Sequence, residues 1–156
     1  MITQVGMMRK LTGRMRNLFH AHGFKGEDQW GMDIESAAAE AVVAKYLNCY
    51  WSPGGVQATA DVGESVQVRW SSREGARLIL HEKDNDDQAF VLVTGALPRF
   101  ELHGWVYGRE AKAPGLWEDP GTGRPAFFVA QKYLKPMTEL RLKIAEERLK
   151  AFHEFP

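Results

Sequence analysis

The stretch ADVGESVQVRWSSRE, residues 60–74, decides how the chain folds. Asp61 follows a short apolar stretch and Gly63 turns the chain. Val66-Gln67-Val68-Arg69-Trp70 then alternates apolar and polar, the period-two pattern of a strand with one buried face. Alternation sends Gln67 and Arg69 to one face and Val66, Val68 and Trp70 to the other. A bend through Val62-Gly63-Glu64-Ser65 brings the Asp61 carboxylate beside the start of that strand.

Upstream, DIESAAAEAVVAKYLN (33–48) reads as a helix. Its alanines have high helix propensity, Asp33 is placed to cap its start and Asn48 its end, and WSPGG breaks it. Downstream, strands are expected at 65–71, 76–81, 89–94 and 99–107, with KDNDDQ closing a hairpin between the second and third. That loop lacks the glycine and distal glutamate of a calcium loop, so a solvated turn is expected. A helical piece at 109–112, a Pro- and Gly-rich loop at 114–125 and a last strand, AFFVA, complete the core. From Pro136 to Phe152 the chain is helical, with Leu142, Ala145, Leu149 and Phe152 spaced 3, 4, 3. That stripe either docks on the core or forms a homodimer by pairing with a copy of itself. Met7 to Ala21 is a further short helix candidate. The expected class is α/β in the mixed α+β sense, one sheet flanked by helices. Residues 1–30 form a basic N-terminal segment, 31–135 the core and 136–156 a C-terminal helix, all within one domain.

Composition narrows the function classes. At 156 residues, 44% hydrophobic and 26% charged, the chain fills one core. Twenty basic and twenty acidic side chains cancel, so no whole-molecule field dictates a partner. The charge is locally uneven: Met1 to Gly26 carries five cations (Arg9, Lys10, Arg14, Arg16, Lys25) and no carboxylate. One cysteine, Cys49, rules out an intramolecular disulfide and suits a reducing cytoplasm. No apolar run approaches the roughly 18 residues of a membrane span, and no apolar signal region opens the chain. A soluble cytoplasmic protein with no membrane partner is expected.

Glu40 is the informative residue of the first helix. Ser36, Ala37, Val43, Ala44 and Leu47 surround it at helical spacing, a small-residue apolar stripe with no cation. A carboxylate turned inward there needs a cationic partner or a proton. Arg69 or Lys112 pairing with it structurally is one answer, and access to water is another. A divalent ion is a third. Mg²⁺ takes oxygen ligands: Asp61 and Glu40 are anionic donors, the Gln67 side-chain oxygen and Val68 carbonyl neutral ones, and Arg69 has the fork to hold a phosphate oxygen.

A helix glutamate, an aspartate and a strand reading Glu-x-Lys, in that order, make up the signature of the PD-(D/E)XK, or restriction-endonuclease-like, superfamily. SAAAEAVVAKYLN followed by ADVGESVQVRW resembles it in order and spacing. With FVLVTG and GWVYGREAK, residues 31–131 are similar to small phage and prophage proteins of that superfamily. The resemblance implies a restriction-endonuclease-like central mixed sheet. It matches Glu40 to the helix acid, Asp61 to the metal-binding aspartate, Gln67 to the second acid and Arg69 to the lysine. Gln67 carries one charge fewer than the usual glutamate, and Arg69 stays protonated and cannot act as a base. Glu64 is a candidate replacement ligand, and Lys112 a candidate lysine displaced from the strand.

The implied activity is Mg²⁺- or Mn²⁺-dependent hydrolysis of DNA. Asp61, Gln67, the Val68 carbonyl and Glu40 would hold the ion and Arg69 would neutralise phosphoryl charge, while Arg14, Arg16, Arg73 and Arg77 follow the backbone. The competing reading is a nuclease-like fold with an incomplete charge set, serving as a DNA- or protein-binding accessory module. His20 and His22 point apart on a helix and are poor zinc ligands; His81 and His103 fall within strand candidates and could meet across the sheet, but a lone strand histidine is usually a packed or solvated residue.

Overall fold

Alanine content and a left-handed stop shape the first helix. In the computed structural model, which describes residues 29–51 and 59–153, α1 runs Gln29–Leu47. Asp33, expected at its start, lies in its second turn instead. Gly31 costs the helix about 1 kcal/mol relative to alanine, too little to stop a helix packed along its length. The end falls where expected. Asn48 adopts φ 53°, and the N–H of Cys49 donates to the Ala44 carbonyl at 2.8 Å, closing the last turn. Ala37, Ala38, Ala39, Val43, Ala44 and Leu47 are buried, and small side chains let α1 lie close to the sheet beneath it.

Five further segments build that sheet and a second one: β1 (Val66–Ser71), β2 (Leu78–Leu80), β3 (Ala89–Ala96), β4 (Arg99–Tyr107) and β6 (Ala126–Val129), with the two-residue β5 (Trp117–Glu118) beside the last. The first sheet has order β1-β3-β4, with β1 parallel to β3 and β3 antiparallel to β4. The second has order β2-β6-β5 and is antiparallel. The expected hairpin between the second and third strands is therefore absent: β2 pairs with β6 and β3 with β1. Its residues explain why. From Ala89 to Thr94 every residue of β3 is buried, so both its faces are covered, and a central strand needs neighbours on both edges.

The alternation along β3 divides the interior in two. Ala89, Val91 and Val93 pack with α1, with Val66 and Val68, and with the C-terminal helix. Phe90 and Leu92 face the other way, against Leu78, Leu80 and Val129 of the second sheet. The result is a mixed α+β arrangement in three layers: helices, first sheet, second sheet. Layer order fixes what each face of β1 meets.

Two later segments close the helix layer. Trp105 and Lys135 exchange backbone hydrogen bonds at 3.0 and 2.9 Å. This tight approach uses Gly104 at φ 145°, where an added Cβ would fall 2.5 Å from the Lys135 carbonyl oxygen. After the short α2 (Gly108–Ala111), α3 runs Met137–His153. It docks through Met137, Leu140 and Ile144. Of the two alternatives for the 3, 4, 3 stripe, docking on the core is not the one seen: Leu142, Leu149 and Phe152 are exposed at 65%, 61% and 81%. Both stripes have helical spacing, and the one beginning a turn earlier meets the core. Among the described residues no helix is long and apolar enough to cross a membrane. The Met7–Ala21 candidate, Arg14, Arg16, His20 and His22 lie outside the described residues.

Candidate functional site

The bend before β1 folds back onto the edge of that strand facing away from β3. Asp61 and Val62 both donate backbone N–H groups to the Val66 carbonyl at 3.0 Å, and Gly63 turns at φ 59°. The Asp61 carboxylate accepts the N–H of Val68 at 2.8 Å, placing the acid beside the start of the strand. The Gln67 amide donates to the Thr59 carbonyl at 3.1 Å and to the Gln88 side-chain oxygen at 3.2 Å, tying the incoming chain to β3.

Glu40 is inward, 4% exposed, and its carboxylate accepts the Trp51 indole N–H at 3.2 Å. It sits on the helix side of the first sheet. Gln67 and Arg69 alternate with Val66 and Val68, which pack toward α1, so they project on the opposite side. The sheet thus separates Glu40 from Gln67 and Arg69, with Asp61 at the edge between them. Among the described residues no three His, Cys, Asp or Glu side chains form a metal-holding group.

The two substitute candidates point elsewhere. Glu64 lines a cavity of about 410 Å³ on the helix side with Cys49, Ile144 and Arg148. There Arg148 donates to the Asn48 carbonyl at 2.7 Å, and burial pushes the Cys49 thiol pKa up against the opposing pull of Arg148. Lys112 is enclosed by the 82–86 loop, donating to the carbonyls of Glu82 and Asp84 and to the Asp86 carboxylate. The expected solvated turn is largely exposed, and it also wraps around the Lys112 ammonium group. His81 and His103 are not sheet neighbours, because His103 belongs to β4 of the first sheet, where it bonds Thr94 Oγ1 at 2.6 Å, and His81 follows β2 of the second.

Arg69, Arg73 and Arg77 come together. They line one groove of about 670 Å³ with Trp70, Ile79, Leu92 and Phe128, on the face of β1 that points toward the second sheet. Arg69 lies over the Phe90 ring at 5.1 Å and pairs with Asp84 at 3.0 Å. Asp84 is itself fixed by the His81 N–H at 2.9 Å. Arg77 stacks over Phe128 at 4.4 Å and pairs with Glu118 at 2.5 Å. That hydrogen bond raises the Arg77 pKa and lowers that of Glu118. Arg73 is exposed and has no ion pair among the described residues. The groove lining carries three guanidinium groups and no carboxylate.

One wall of the groove escaped the sequence reading. The Asp119 carboxylate accepts the N–H groups of Gly121, Thr122 and Gly123 at 3.0–3.1 Å, and this turn holds Pro120 and Thr122 at the rim. The string DPGTG carries the signal, since aspartate before glycines favours such a turn. That it faces Arg73 follows only from the pairing of β5 with β6.

Compared with family models, curated proteins and solved structures, the chain matches none.

Proposed function

We propose that the protein is a nucleic-acid-binding accessory module, with DNA as the first ligand to test, that holds the phosphate backbone along the Arg69–Arg73–Arg77 groove. The observation that carries this reading is the convergence of three arginines from β1 and the following turn on one groove, with Arg73 exposed and outside any ion pair among the described residues. Guanidinium forks match phosphate oxygens, and each phosphate neutralised releases counterions. Arg73 is open to the first contact. The partners of Arg77 and Arg69 differ: Glu118 is 43% exposed and exchangeable, whereas Asp84 is 13% exposed and fixed from behind. Contacts of this kind position a backbone without reading bases.

Metal-dependent hydrolysis of phosphodiesters is the second reading, and the Asp61 corner favours it. A strand residue directs its N–H and C=O the same way, so the Val68 carbonyl lies on the same edge as the Asp61 carboxylate, with Gln67 adjacent in sequence. Gln67 and its neighbour Arg69 project on the side of the sheet opposite Glu40, so the four matched residues do not share one face. The donor set at Asp61, with one carboxylate, is sparse for Mg²⁺ or Mn²⁺. Incubating linear, nicked and single-stranded DNA with Mg²⁺ and with Mn²⁺ separates the readings. The binding module shifts DNA without cutting it. Metal-dependent cleavage lost on Asp61→Ala would overturn that assignment in favour of the nuclease.

A further inference from the structure

The C-terminal helix buries one apolar stripe and leaves another bare. Met137, Leu140 and Ile144 dock on the core, while Leu142, Leu149 and Phe152 stand 65%, 61% and 81% exposed, with Ala145 exposed between them. At 3.6 residues per turn the two stripes lie roughly 110° apart, so docking one leaves the other accessible. Single exposed apolar residues need no explanation, but three large ones in register on one helix form a contiguous surface. With Ala145, their 3, 4, 3 spacing places all four on one helix face, as the a and d positions of a two-helix seam are placed.

We infer that this stripe is a self-association surface, taking the same helix of a second copy of the chain in parallel. The flanking charges select both occupant and direction. In a parallel pair, Arg141 lies beside Glu146 of the partner subunit, and symmetry makes that contact twice. An antiparallel pair sets arginine flank against arginine flank. The seam from Leu142 to Phe152 is about 15 Å long, so the dimer depends on protein concentration.

Sedimentation equilibrium on the full chain over a wide concentration range tests this. Wild type should pass from monomer to dimer. Leu149→Glu, at an exposed position, should weaken association at least about tenfold while melting cooperatively. Arg141→Glu and Glu146→Arg should each weaken it, and the double reversal should restore it. A wild type monomeric throughout, a dimer indifferent to Leu149→Glu, or single charge reversals without effect would each overturn the inference. None of these outcomes depends on nucleic-acid binding.

Discussion

At the scale of single residues, Glu40 separates structure from function most sharply. Its inward placement is legible from the helical wheel, because small uncharged residues surround it at every i±3 and i±4 position. Its role is not, because the wheel does not say which layer the helix covers. In the fold its carboxylate accepts the Trp51 indole hydrogen, tying the chain after α1 to the helix. Glu40→Ala is therefore expected to cost about 1–3 kcal/mol, the desolvation cost of a buried donor left without its acceptor. DNA affinity should stay within about twofold, since a residue off the groove leaves the phosphate contacts intact. Urea unfolding and a binding titration on the same variant check both halves; a stable variant with lost binding would move Glu40 into the site.

At the scale of elements, local patterns were readable and partnerships were not. RLIL announces a strand, and nothing within it says that β2 will pair with β6, some 50 residues on, rather than with β3. The unbroken apolar run of β3 does signal a strand covered on both faces. The helix from Pro136 carries two apolar stripes, and only the core decides which one docks. The acidic loop is the clearest case: its composition reads as solvated, yet Lys112, from α2's end, fills its centre. The same loop holds Asp84 against Arg69. Lys112→Ala should thus destabilise the protein by about 2 kcal/mol, the range of a lost charge-assisted hydrogen bond, and loosen Arg69 at the groove. Lys112→Arg should recover only part of the loss, because a planar fork does not reproduce a compact ammonium. Denaturant unfolding reads both variants, and equal stability of all three proteins would contradict this account of the loop.

At the scale of the whole molecule, a net charge of zero conceals its arrangement. Period-two alternation placed Gln67 and Arg69 on one face and separated them from Val66 and Val68, which was legible. The three-layer order then put α1 on the far side of the sheet and the arginines in the groove beside the second sheet, which required the long-range pairing of β6. Arg69, Arg73 and Arg77 converge on one groove, while the sheet divides Glu40 from Gln67 and Arg69 of the expected metal set. The most direct measurement is fluorescence anisotropy of labelled DNA titrated with the protein over a range of salt concentrations. With phosphate contacts from Arg73 and Arg77, and Arg69 held by Asp84, log affinity should fall against log salt with a slope of about −1.5 to −2, and Arg73→Ala should flatten it by about one. Arg73→Ala with Arg77→Ala should remove most of the binding. No association at low salt, or a double variant that binds as wild type does, would contradict the assignment of the groove.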